Sequence, residues 1–377
     1  MIVDGPGLKL SASFFSTLVE PLLQQRFPDL RYAAARIGRG SEVLGFDTEM
    51  SADHDYGPAV QLFVRDEAFP DTGPMIIRLL DHELPQAFEG WSIRFPANTR
   101  SPSGPSRPGM MWSRHGVEIY TVGAWCDRFL QRRYDTDLSW RDWLSYPEQH
   151  FLLATGGRVF RDDLGDLGAL RERLSYFPRD VWLYKIMVQW GRIAEERAYV
   201  GRTGSVGDEI GSAVVAARMV ENLMRLALLV ERRFAPYPKW LGTAFSRLPC
   251  APELSPILES VLAARRWSER EAFLHDACRV LAELQAREGV PGASHPTDGA
   301  LHARPFRFVD TLRIGNGIRA AIEDDELRGL HEFGAPDQFL SSNLVKAVPE
   351  LTQAAFTALT ATKLGQSRRR PEERRGG

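Results

Sequence analysis

Gly40-Ser-Glu-Val-Leu-Gly-Phe-Asp-Thr-Glu-Met-Ser-Ala-Asp-His-Asp-Tyr-Gly-Pro58 is the stretch on which the reading of this chain turns. A Gly-Ser pair follows an apolar run, a spacer of eleven residues comes next, and Asp53 and Asp55 stand two positions apart. If that last segment is extended, both carboxylates point to one face, because side chains alternate along a strand. Two like charges about 4 Å apart repel by roughly 4 kcal/mol at an effective dielectric of 20, so the pair calls for a cation or a proton. Hard divalent ions such as magnesium take carboxylate oxygens and are completed by substrate phosphates. Gly40 lets the backbone come close to an anion, and Ser41 adds an amide and a hydroxyl. By itself a Gly-Ser step is found in any turn.

Working outward, residues 31–37 are compact and apolar and are expected to form the first strand. Ser11 to Arg26 places Phe14, Phe15, Leu18, Leu22 and Leu23 at helical spacing behind a serine cap. After the aspartates, Val60, Leu62 and Val64 read as strand, with Pro58 at its start, at an edge or in a bulge. A helix over 75–88 and a strand through Trp91, Ile93 and Phe95 follow, then a surface loop from Asn98 to Pro108 rich in Pro, Ser, Gly and Arg. From Val117 to Val122 the alternation puts Val117, Ile119 and Thr121 on one face and Glu118, Tyr120 and Val122 on the other. Glu118 either lies on an exposed face or joins Asp53 and Asp55 as a third carboxylate.

From Trp125 onward the period changes from two to about 3.6, and helices are expected almost throughout. Helical segments are read from Asp180 to Tyr199, from Ser212 to Phe234, and after a Ser268-x-x-Glu271 capping box. The expected organisation is a first domain over 1–145, a helical domain over 146–363 and a disordered basic tail over 364–377. Tyr237 and Lys239 lie in a Pro-rich kink after the long helix; they are either a solvated helix end or contacts for a triphosphate. The glycine-rich run from Gly201 to Ser212 lacks the Gly-Lys-Ser/Thr ending of a P-loop, and Ser205 with Asp208 reads there as a capping signal. Arg218, Glu221 and Arg225 share one side of the long helix, as a solvated strip or as the lining of a cleft.

The 377 residues are 44% hydrophobic and 25% charged, with a formal charge of -2. That balance suits a globular protein and gives no overall basic bias toward nucleic acid. Cys126, Cys250 and Cys278 are far apart and odd in number, so neither a disulfide framework nor a cysteine zinc site is expected. No apolar run approaches the roughly 20 residues that span a bilayer, and no basic stretch precedes an apolar one at the start. A cytoplasmic protein without a membrane partner is the expectation.

The order strand, Gly-Ser, spacer, Asp-x-Asp and later carboxylate resembles the nucleotidyltransferase superfamily, which includes DNA polymerase beta and the aminoglycoside nucleotidyltransferases. The wider text is similar to an uncharacterised bacterial family with such a head, to which the segments Phe177 to Tyr184 and Tyr237 to Phe245 also correspond. The resemblance implies an α+β fold: a small mixed-sheet head followed by an α-helical bundle. By it, Gly40 and Ser41 would hold the terminal phosphates of a nucleoside triphosphate, Asp53 and Asp55 would bind Mg2+, and Glu118 would be a third ligand or the base. Tyr237 and Lys239 would touch the nucleotide. The implied reaction moves a nucleoside monophosphate to a hydroxyl or amine of a small acceptor, releasing pyrophosphate. Two alternatives stand beside it: an inactive, nucleotide-binding regulatory protein, and a toxin-like enzyme acting on RNA or protein. His54 replaces the apolar residue common between the aspartates, and Gly57-Pro58 interrupts the strand that follows.

Overall fold

The first helix opens at Pro6, ahead of the expected Ser11. A proline lacks the N–H that a first-turn residue leaves unpaired, so it suits that position. No serine caps it; the Asp47 carboxylate accepts the Gly7 N–H at 2.7 Å. Ser11 lies inside the helix, where its hydroxyl accepts the Ala59 N–H at 3.3 Å. The protein is described by a computed structural model over residues 5–48, 50, 57–94, 110–112, 115–132, 137–292, 298–299 and 308–361. They divide into one unit of Met1–Asp137 with His150–Ser175 and a second of Leu138–Gln149 with Tyr176–Gly377.

In the first unit, α1 (Pro6–Phe14) passes through a π-helical turn at Phe15–Val19 into α2 (Glu20–Arg26). The strands are β1 (Ala33–Arg36), β2 (Val60–Phe63), the hairpin β3 (Ala87–Phe88) and β4 (Trp91–Ser92), β5 (Met110–Trp112), β6 (Val117–Tyr120) and β7 (Arg158–Asp162). Five of them form a mixed sheet in the order β5-β6-β2-β1-β7. Only β2 and β6 run parallel; the other pairs are antiparallel. A parallel pair needs a long crossover, and α3 (Phe69–Glu83) with the β3–β4 hairpin lies within it. That helix starts earlier than the expected 75–88 because Pro70 occupies its first turn. Val60, Leu62, Val117 and Ile119 pack on one side of the sheet with Phe14, Phe15, Val19, Leu23, Ile76 and Leu80. Helices α4 (Val122–Phe129) and α7 (Asp166–Arg173) complete the unit.

Two strand expectations also change. β7 is a strand well beyond Trp125, and it pairs with β1 although its sequence neighbours are helical. The strand expected through Phe95 is confined to the short β3–β4 pair. Phe95 and the Asn98 to Pro108 loop lie outside the described residues, as do 364–377.

Apart from a short antiparallel pair, β8 (Asp298–Gly299) with β9 (Phe308–Val309), the second unit is helical: α5 (Trp140–Leu144), α8 (Arg179–Gly204), α9 (Glu209–Val230), α10 (Pro238–Ser246), α11 (Ala251–Ala263), α12 (Trp267–Arg287), α13 (Thr311–Ala320) and shorter helices to Ala361. Helix α6 (Glu148–Thr155) begins in the second unit and ends in the first. Ile186, Trp190 and Ile193 of α8, Met219, Leu223 and Leu226 of α9, and Leu274 and Leu281 of α12 are buried. Asp208 caps α9 by accepting the Gly211 N–H at 2.7 Å. The cap of α12 differs from the expected Ser268-x-x-Glu271 box. Glu269 accepts the Arg266 N–H at 3.3 Å, so Ser268 falls in the first turn and Glu271 is buried in the helix. Arg218 pairs with Glu196 at 2.8 Å near the surface, whereas Arg225 is buried against Glu221 at 3.0 Å, so the charged strip of α9 is not uniformly solvated.

A buried ion pair sits among these helices. Lys185 Nζ lies 3.0 Å from Glu148 Oε1, and the two side chains are 0% and 4% exposed. Glu148 Oε2 also accepts the Ala235 N–H at 2.6 Å, and the ammonium lies 4.8 Å from the centre of the Phe177 ring. Burial pushes the Glu148 carboxyl above the ordinary carboxylate range; Lys185 pulls it down and Asp337 pushes it up again.

Burial alone lowers the His150 imidazole to about 3. An unfolded histidine titrates near 6.5, so below that pH only the unfolded chain gains the proton, and stability falls until about pH 3. At pH 5 the loss is about 2 kcal/mol. Urea unfolding at neutral and mildly acid pH measures it, and His150→Gln is expected to remove that increment. No helix among the described residues is long and apolar enough to cross a membrane. Cys126, Cys250 and Cys278 are buried, and none is joined in a disulfide among the described residues.

Candidate functional site

The site grows out of the end of β1. After Arg36 the chain runs through Ile37, Gly38 and Arg39 to Gly40, whose φ of +136° is a conformation that favours glycine. The turn Ser41–Gly45 is closed by the Gly45 N–H on Glu42 O at 3.0 Å and the Phe46 N–H on Ser41 O at 3.0 Å. It is braced from the end of α6, where Leu153 O accepts the Gly38 N–H at 2.8 Å and the Gly157 N–H donates to Val43 O at 2.7 Å. Arg171 in turn holds that end of α6, donating to the carbonyls of Ala154 and Gly156, each at 2.7 Å, and of Thr155 at 2.9 Å.

One side chain ties this turn to the sheet. Gln61 on β2 accepts the Ile37 N–H on Oε1 at 3.1 Å and donates from Nε2 to Glu118 Oε2 at 3.2 Å. Gln61 is 2% exposed and lies directly opposite Glu118 in the parallel β2–β6 register. Buried amides need partners on both ends, and Gln61 meets that need by joining the strand before the turn to the carboxylate on β6. From the sequence, Gln61 is an alternating polar residue; its buried position was visible only as a polar side chain between two apolar ones.

Phe63 and Tyr120 continue this face, their ring centres 6.1 Å apart, and the tilted rings of Trp125 and Phe129 of α4 lie 5.0 Å apart beside them. Burial, then the Glu118 carboxylate, pushes the Tyr120 hydroxyl far above the usual phenol range, so it stays protonated. Thr121, expected to extend the strand, caps α4 instead by accepting the Ala124 N–H at 3.2 Å.

Gly40, Ser41 and Glu118 thus belong to one unit, with the strand before the turn and Glu118 linked through Gln61. Asp53, His54 and Asp55 lie outside the described residues. The described chain resumes at Gly57, whose φ of +147° bends the backbone ahead of β2, and Pro58 precedes the strand. Tyr237 and Lys239 belong to the second unit. The Tyr237 N–H donates to Gln149 Oε1 at 3.1 Å at the start of α10, and the exposed Lys239 lies 4.8 Å from the centre of the Trp240 ring. Among the described residues no three His, Cys, Asp or Glu side chains gather to hold a metal ion. Of the three expected metal ligands only Glu118 falls among those residues; Asp53 and Asp55 do not.

A family model described as a domain of unknown function, DUF4037, matches residues 143–241. That segment holds Glu148, Lys185, Tyr237 and Lys239. No curated protein matches the chain. Among solved structures, a nucleotidyltransferase-like protein from Exiguobacterium sibiricum 255-15 is similar at 11% identity with a TM-score of 0.30, over 80% of this chain and 97% of that one.

Proposed function

We propose that this chain is a magnesium-dependent nucleotidyltransferase that moves a nucleoside monophosphate from a nucleoside triphosphate to an acceptor hydroxyl or amine. The observation that carries the reading is the Gln61 bridge, which ties the strand leading into the Gly40-Ser41 turn to the Glu118 carboxylate. In the reaction, the acceptor oxygen or nitrogen bonds to the α-phosphorus, the bond from that phosphorus to its bridging oxygen breaks, and pyrophosphate leaves. Gly40 and Ser41 cradle the terminal phosphates. Glu118 takes the acceptor's proton or completes the metal ligands, and Asp53 and Asp55 supply the other carboxylates. Magnesium, when bound, offsets the phosphate charge. Tyr237 and Lys239 are assigned to the nucleotide, Lys239 as a point charge.

The test is transfer of label from α-labelled triphosphates over a panel of small acceptors, RNA and protein, read together with pyrophosphate release. Glu118→Gln keeps an acceptor for Gln61 but removes the charge, and turnover is expected to fall by about 10²–10³. Wild-type turnover in this variant sinks the role given to Glu118. Triphosphate binding without consumption by the wild-type chain across the whole panel favours a nucleotide-binding protein with an inactive head.

A further inference from the structure

Arg36 and Glu42 flank the Gly40-Ser41 turn and pair with each other. The Arg36 guanidinium is held by two backbone carbonyls, donating from Nη1 to Ile37 O at 3.1 Å and from Nη2 to Arg39 O at 3.1 Å. Nη2 also pairs with the Glu42 carboxylate, and the two side chains are 14% and 11% exposed. Arg36 Nε is buried and has no hydrogen-bond partner among the described residues. The Glu42 side chain folds back over the turn, so that a Cβ placed on Gly40 would fall 2.6 Å from its carboxyl carbon. An anionic group therefore already lies against the glycine, in the reach of a fixed arginine.

A carboxylate and a phosphate present similar oxygen pairs to a guanidinium fork. Because two carbonyls anchor Arg36 independently of Glu42, withdrawing that carboxylate leaves a cation in place above a turn with no side chain at Gly40. We infer that Glu42 is a resident stand-in for a phosphate group and that Arg36 is the side chain that binds the terminal phosphates of a triphosphate after Glu42 swings out. This rests on the phosphate-cradling role given above to Gly40 and Ser41. The turn then has a closed state, paired within the chain, and an open state that takes the ligand. If the pair is closed in about nine molecules of ten, the apparent affinity for the ligand is about tenfold weaker than that of the open turn.

Calorimetric titration of the full chain with inorganic tripolyphosphate, in metal-free buffer at neutral pH, tests this without relying on any transfer. Glu42→Gln keeps the shape and removes the competing charge, and it is expected to bind roughly tenfold tighter than wild type. Arg36→Gln, alone or combined with Glu42→Gln, is expected to lose at least that gain. Equal or weaker binding by a folded Glu42→Gln chain overturns the inference, and so does binding unaffected by Arg36→Gln. Should Glu42→Gln fail to fold, Glu42→Asp retains the charge and draws the carboxylate back by one methylene. It is expected to bind several-fold tighter than wild type, and unchanged affinity overturns the inference. Tighter tripolyphosphate binding without any label transfer leaves this anion site standing and removes the transferase reading alone. Transfer with unchanged tripolyphosphate affinity does the reverse.

Discussion

Asp53→Asn and Asp55→Asn are each expected to reduce label transfer from an α-labelled triphosphate by about a thousandfold, near the limit of detection. Asparagine preserves the volume and one acceptor oxygen but removes the negative charge that a hard cation selects. The unfolding midpoint, measured on the same samples, separates a loss of chemistry from a loss of fold. Raising the magnesium concentration should recover part of the activity, since a weaker ligand set is filled at higher ion concentration. Wild-type turnover in either variant removes that aspartate from the site. A large fall in the unfolding midpoint with turnover retained assigns it to the fold instead.

The second large effect concerns stability. Lys185→Met is expected to cost about 3–5 kcal/mol, because it leaves the Glu148 carboxylate buried without its cation. The loss is read by urea unfolding at neutral pH. Glu148→Met is expected to cost a similar amount, stranding the Lys185 ammonium against the Phe177 ring. The double variant should be clearly more stable than the sum of the two losses predicts, because neither charge remains to be buried alone. Strict additivity sinks the pairing. The pH dependence has a definite sign. Without Lys185 the carboxyl rises further above its unfolded value, so the folded state takes up a proton first. The deficit of Lys185→Met relative to wild type should therefore shrink as the pH falls from neutral toward the unfolded carboxyl value of about 4.3.

How far the site can be read from residues alone differs from one side chain to the next. Gly40 and Ser41 follow an apolar strand, and the requirement for glycine is visible because the chain must turn sharply there. The alternation from Val117 to Tyr120 sorts Glu118 from its apolar neighbours, but periodicity does not say which residue faces it. That partner is Gln61, whose sequence position signals only an alternating polar side chain. Arg36 and Glu42 are six residues apart with no periodic relation, and their pairing follows from the path of the turn. Arg225 carries the same pattern as the exposed Arg218, yet one is buried and the other is not.

Local periods determined by themselves that this chain has a small sheet followed by long helices, because amphipathic spacing is set by backbone geometry over a few residues. They also placed the long helix and a strand on each side of the Gly40–Pro58 stretch; of the two residues read as a capping signal, Asp208 caps that helix and Ser205 ends α8. The tertiary structure alone decided that β7 leaves the helical half of the sequence to pair with β1. It alone joined Glu148 to Lys185 and carried the Gln61 amide from Ile37 to Glu118. These are matters of hydrogen-bond and charge satisfaction among buried groups. Each such group must find a partner somewhere, but register and packing across distant segments choose which one.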